Sequence, residues 1–171
     1  EKLGGVPAPR HVLTERRVVV PEIAVTNELA DALADVTGKR VDAQRVPDDI
    51  DAGLIERLTC ALVEAPSENP GGSEAAAAAV LAGAAADLGL VAETDEVAPG
   101  RPNVTATWLP DAATGPGLMF LGHSDVVPAG PNWTGDPYRV RRTVDETGRT
   151  LLVGRGTTDM KGGLAAATCW R

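Results

Sequence analysis

Apolar residues recur at helical spacing over Ile50, Leu54, Ile55, Leu58, Leu62 and Val63, which predicts an amphipathic helix capped by Asp48 and Asp49 and stopped at Pro66. A Pro- and Gly-rich loop over 65–72 follows. Ser73 then serves as N-cap for an alanine-rich helix from Glu74 to Leu88, with Gly89 ending it. Upstream, Leu29, Leu33 and Val36 mark one face of a helix over 26–36, with Gly38 at its end. An edge strand at 17–20 and a strand at 39–46 flank that helix.

Beyond Gly89 the period falls to two. Leu90–Glu93 and Val104–Leu109 read as strands, and a turn rich in Gly, Pro and Asp leads from Pro110 to Gly117. Leu118-Met119-Phe120-Leu121 is a continuous apolar run, the pattern of a strand covered on both faces. Residues 138–143 and 150–153 form a hairpin around Asp145-Glu146-Thr147-Gly148, and a last helix starts at Gly162. The order of elements predicts an α/β fold, with a mixed sheet flanked by helices.

Composition narrows the class. The 171-residue chain is 43% hydrophobic and only 3% aromatic, so its core is built mainly from Ala, Val and Leu. A net charge of −8 argues against a nucleic-acid partner, which needs a basic face. Arg139, Arg141 and Arg142 form a local basic cluster on an exposed strand edge. No apolar run reaches the roughly 18 residues of a membrane-spanning helix. Glu1–Arg10 lack the pattern of a signal peptide, and the two cysteines, Cys60 and Cys169, read as reduced thiols; both point to the cytoplasm.

The chemistry concentrates in two stretches. In Gly122-His123-Ser124-Asp125, extended backbone puts His123 and Asp125 on one side. A neutral imidazole is a good zinc ligand, and a neighbouring carboxylate can take its other ring N–H. In Gly154-Arg155-Gly156-Thr157-Thr158-Asp159-Met160-Lys161-Gly162-Gly163, Asp159 lies between a strand and a helix. There it either caps the helix or faces a ligand, and the surrounding glycines exceed what a cap requires. The start of that stretch imitates a dinucleotide-binding turn, but Asp159 occupies the place of the third glycine and would repel a pyrophosphate. There is no nucleophile elbow. Trp133 and Tyr138 read as packing residues rather than site lining.

Gly122 to Pro128, Trp133 with Asp136-Pro137-Tyr138, and Gly154 to Gly163 together resemble the N-terminal catalytic part of the M20 family of metallopeptidases and deacylases. Ser67-Glu68-Asn69-Pro70-Gly71-Gly72 with Glu74 is similar to the family's loop between its first two helices. The likeness covers 51–171 and leaves 1–50 as an unassigned N-terminal segment. It implies an incomplete zinc-exopeptidase-like catalytic domain in which His123 ligates one of two zinc ions and Asp159 bridges both, next to a cis peptide to Met160. Asp125, the residue assigned to catalysis, orients His123. Co²⁺ or Mn²⁺ are the implied substitutes for zinc. The implied reaction is hydrolysis of the amide bond in an N-acyl amino acid or small peptide.

Relatives also use a Glu-Glu pair beyond Asp159, a further carboxylate, a distal histidine and an inserted lid domain, none of which occurs before Arg171; His11 fits no family position. The expectation is a fragment or truncated gene product with weak metal binding and little activity alone. Three readings stand: such a piece of a zinc hydrolase, a non-catalytic remnant acting as a binding module, and a nucleotide-binding domain built on the Gly154 turn. The first is preferred. An unfinished sheet edge also predicts self-association.

Overall fold

Asp51 starts the first described helix, α1 (Ala52–Glu64), by accepting a hydrogen bond from the Leu54 amide on Oδ1 at 2.8 Å. The computed structural model describes residues 50–109 and 117–170. The elements expected at 17–20, 26–36 and 39–46, the caps Asp48 and Asp49, His11, and most of the turn after Pro110 lie outside the described residues. Leu58, Leu62 and Val63 line the buried face of α1 as their spacing requires. Ala65 is extended (φ −80°, ψ 116°), the conformation that a following proline imposes, and the helix ends there.

The second helix, α2 (Ala75–Asp87), begins beside Ser73, whose Oγ accepts from the Ala75 amide at 3.1 Å. Gly89 closes it at φ +75°, a left-handed position open to glycine. Ala77 and Ala85 are completely buried. Their small side chains let α2 lie close against α1, where Leu58, Leu62, Ala65, Ala77 and Ala165 form the core.

The fold is α/β, but the pairing is simpler than one mixed sheet. β1 (Val91–Ala98) and β2 (Arg101–Thr107) form one antiparallel ribbon, and β3 (Arg141–Val144) and β4 (Thr150–Val153) form another. The only described parallel pairing is a single bridge between Glu68 and Val126. β1 runs past the expected Glu93 because Pro99-Gly100 makes a hairpin turn, with Gly100 at φ +72° and its amide on Glu96 Oε1 at 2.6 Å. The β3–β4 turn is held by Asp145, whose Oδ1 accepts from the amides of Thr147 and Arg149. Leu151, Leu152 and Val153 are consecutive and all buried, so both faces of β4 are covered.

The run Leu118–Leu121 departs from expectation. It is not part of any described sheet, and its side chains are 61%, 82%, 54% and 86% exposed in order. An apolar run records a need for cover, and among the described residues the strands are already paired within their own hairpins. Phe120 meets Trp170, beyond the last helix, α3 (Gly162–Cys169), in an edge-to-face pair with ring centroids 5.5 Å apart.

Candidate functional site

Just after α1, the chain turns through Ser67, Glu68 and Asn69 and lies alongside Val126. The Val126 amide donates to Ser67 O and the Asn69 amide donates to Val126 O, each at 2.9 Å. These bonds fix the stretch that carries His123 and Asp125 relative to the end of α1. Val126 is 3% exposed and packs against Gly156, which has φ +85°; a Cβ on Gly156 would lie 2.6 Å from Val126 Cγ1. The two stretches singled out by their chemistry therefore meet where only glycine fits.

A second close approach repeats the theme. A Cβ on Gly122 would lie 2.7 Å from Leu164 Cδ2 and 2.8 Å from Met160 Cε. Met160 lies across Gly122, and its sulfur accepts from the His123 amide at 3.4 Å. Of the glycines around Asp159 expected to be crowded, three are crowded by protein, Gly154 by Val63 (3.0 Å), Gly156 by Val126 (2.6 Å) and Gly162 by the Thr157 carbonyl (2.5 Å), while Gly163 is in ordinary contact with Met160 (3.6 Å). A phosphate-cradling turn needs that space open, so this packing runs against the nucleotide reading.

Asp159 sits in an irregular turn, Thr157–Lys161, that leads into α3. Its backbone is not helical (φ −129°, ψ 96°), and the bond to Met160 is cis. The turn is anchored from the far side by Lys161, which is fully buried. Its Nζ donates to the carbonyls of Leu62 at 2.6 Å and Ala65 at 3.0 Å, the groups that the end of α1 leaves without helical partners. Burial pulls the Lys161 amine down to about 8.

The three sequence-identified residues come together. His123 Nε2 lies 3.0 Å from Asp159 Oδ1. Nδ1 lies 3.1 Å from Asp125 Oδ1 and 3.1 Å from the Asp125 carbonyl oxygen, so both of its neighbours are acceptors and Nδ1 carries a proton. Partial burial lowers the imidazole's basicity. The hydrogen bond to the Asp125 carbonyl, the bond to Asp159 and the charges of both carboxylates outweigh this, and the net direction is upward. The His123 side chain is 48% exposed and that of Asp159 74%, so the Nε2 side of the cluster opens to solvent.

This geometry can be set against the demands of a metal. Two ligand atoms held by one tetrahedral zinc at roughly 2.0–2.1 Å are separated by about 3.3 Å. The Nε2 to Oδ1 separation of 3.0 Å is close to that, and both atoms are accessible. Among the described residues, no group of three or more His, Cys, Asp or Glu side chains is placed to hold a metal ion together. The residues present thus fit part of a zinc site.

Other polar residues support the cluster through contacts that the sequence does not reveal. Asn69 Nδ2 donates to Asp125 Oδ2 at 3.1 Å, and Arg101 Nη1 donates to Asn69 Oδ1 at 3.3 Å. Glu68 Oε1 accepts from the Ala129 amide at 3.2 Å and from the Tyr138 hydroxyl. Arg155 stacks over Trp133 at 5.2 Å and donates to Ala129 O at 2.8 Å. Trp133 and Tyr138 are packing residues, as expected, and together with Glu68 and Arg155 they hold the segment after Pro128. The loop's Pro and Gly content advertised a turn, but contacts between residues so far apart in sequence leave no local signature.

Residues 119–170 match the family model described as Peptidase family M20/M25/M40. The succinyl-diaminopimelate desuccinylase of Rhizorhabdus wittichii is 40% identical over 111 residues, which are 64% of this chain and 27% of that protein. The desuccinylase of Pseudomonas syringae pv. syringae is 39% identical over 113 residues, with the same shares, 64% and 27%. That of Methylobacterium sp. (strain 4-46) is 41% identical over 111 residues, 63% of this chain and 26% of that protein. The chain spans about a quarter of the length of these curated relatives.

Proposed function

We propose that this chain, residues 119–170 of which match the model of peptidase family M20/M25/M40, is part of a zinc-dependent hydrolase that cleaves the amide bond of N-acyl amino acids or small peptides. The observation that carries this reading is the 3.0 Å approach of His123 Nε2 to Asp159 Oδ1, with the other ring nitrogen held by Asp125. In it, His123 and Asp159 are metal ligands and Asp125 is the residue that orients His123. Residues 51–171 form the catalytic-domain portion, with 1–50 a separate N-terminal segment.

When bound, a pair of such metals polarises the amide carbonyl and lowers the pKa of water. The protein's own contribution is preparation. Asp125 offers Nδ1 two acceptors, its Oδ1 and its carbonyl oxygen, against the single Asp159 oxygen at Nε2, and so favours the proton on Nδ1 and leaves Nε2 as the nitrogen for a metal. Lys161 and the close packing of Met160 over Gly122 hold Asp159 opposite it. The desuccinylase relatives make an N-succinyl amide the first substrate to assay. Zinc sites take three or four protein ligands. Two converging ligand atoms among the described residues therefore imply weak binding and little turnover by this chain alone.

Calorimetric titration of the chain with Zn²⁺ tests the reading. Binding that disappears in His123→Ala and in Asp159→Ala supports it. Binding left intact by both substitutions removes the metal site as proposed.

A further inference from the structure

We infer that Asn69 is a positioning residue for the His123–Asp125–Asp159 cluster, acting through Asp125 and itself held in place by Arg101. The bonding pattern allows the Asn69 amide only one orientation. Arg101 can only donate and the Asp125 carboxylate can only accept, so Oδ1 faces Arg101 Nη1 (3.3 Å) and Nδ2 faces Asp125 Oδ2 (3.1 Å). Arg101 is held in turn by Glu74, at 2.8 Å from Nη2; the Glu74 side chain is 7% exposed. A continuous polar path thus runs from the start of α2, across the β1–β2 turn, to the ring of His123.

What this path does follows from how Asp125 divides its two oxygens. Oδ2 receives Asn69, and Oδ1 lies 3.1 Å from His123 Nδ1. A carboxylate held on one side only can rotate about its Cβ–Cγ bond, and Asp125 is a third exposed, with solvent ready to replace a lost partner. Asn69 blocks that rotation. The main chain supports the arrangement, because the Asn69 amide donates to the carbonyl of Val126, the residue after Asp125, at 2.9 Å. Removing the Asn69 side chain frees the Asp125 carboxylate, and the Asp125 carbonyl is then left to hold the proton on Nδ1 against the Asp159 carboxylate at Nε2, which weakens the preference between the two ring nitrogens. Groups that orient a metal-ligating histidine typically change metal affinity by about 10–100-fold when lost.

The inference shares its three side chains with the proposed metal site, and its metal measurement rests on that reading; its ring measurement does not. Long-range ¹H–¹⁵N correlation spectra of the metal-free 171-residue chain in mildly alkaline buffer report the tautomer of His123. Only His11 accompanies it in the spectrum. The wild type is expected to favour the Nδ1-protonated ring, because two acceptors face Nδ1 and one faces Nε2. Asn69→Leu is expected to shift it toward a mixture of tautomers, and Arg101→Met, which leaves the loop itself untouched, to shift it the same way by less. In an Asp125→Ala background, Asn69→Leu should add nothing.

A wild-type ring pattern in folded Asn69→Leu, or an Asn69 effect that persists undiminished without Asp125, overturns the inference. Should Asn69→Leu fail to fold, Arg101→Met decides in its place, and an unchanged ring there is equally fatal. In the zinc titration, Asn69→Leu should weaken His123-dependent binding about 10–100-fold. Zinc binding that never depends on His123 defeats the metal reading, while the ring spectra still decide the role of Asn69.

Discussion

Lys161 Nζ donates to the carbonyl of Leu62, 99 residues earlier in the chain, at 2.6 Å. One buried side chain thereby closes the end of α1 and anchors the turn that presents Asp159. Lys161→Met keeps the apolar stem and removes the donor, leaving the Leu62 and Ala65 carbonyls without it in a buried setting. A loss of about 1–3 kcal/mol in unfolding free energy is expected, measured by urea denaturation. Wild-type stability in Lys161→Met would mean that the clamp contributes nothing.

Gly156 and Gly130 separate two costs of adding a methyl group. Both have positive φ, +85° and +70°, but a Cβ on Gly156 meets Val126 Cγ1 at 2.6 Å and one on Gly130 meets nothing within 4 Å. Gly130→Ala should cost about 1–2 kcal/mol, the conformational penalty alone. Gly156→Ala should cost about 1–3 kcal/mol more, from overpacking. Equal losses in the two variants would contradict the close approach of the two motif stretches.

Tyr138 is the only tyrosine, so its ionisation can be followed by ultraviolet absorbance. Burial, and then the hydrogen bond and charge of Glu68, push its hydroxyl up to about 12. The fold favours the neutral phenol. Its contribution to stability is therefore complete below the ordinary tyrosine value near 10 and is lost as pH rises through about 12. Glu68→Gln should move the titration part of the way back. A midpoint at the ordinary value in the wild type would show that the Glu68 contact does not form.

The exposed run Leu118–Leu121 predicts association. Met119 and Leu121 are 82% and 86% exposed, a large apolar contribution from two alternate positions. Sedimentation should show concentration-dependent self-association that Met119→Glu with Leu121→Glu reduces. A monomer at every accessible concentration would exclude this surface as adhesive.

The parts of the molecule visible in sequence are those written locally. Helix α1 is legible from the period of Leu54, Leu58 and Leu62, and the end of α2 from Gly89. The β3–β4 hairpin is legible from the Asp145 to Gly148 turn. His123, Asp125 and Asp159 were identifiable because their chemistry is concentrated in short motifs. The helix is capped by Asp51 rather than by the expected Asp48 or Asp49, because neighbouring acidic residues can each cap and only geometry selects one. Leu118–Leu121 misled because apolarity is not evidence of a pairing strand. The roles of Asn69, Arg101 and Lys161 are not legible for another reason: each works through a partner between 32 and 99 residues away.

The anchors of both motif stretches land on the same few residues. The bridge to Val126 uses Ser67 and Asn69, and the lysine clamp uses Leu62 and Ala65. The final turn of α1 and its continuation thus act as a common hinge pin, and a local opening there releases His123 and Asp159 in one event. Their motions are thermodynamically coupled without any need for the two side chains to touch. A ligand that ties them together should slow amide hydrogen exchange at Ala65 and Asn69, residues that it never contacts.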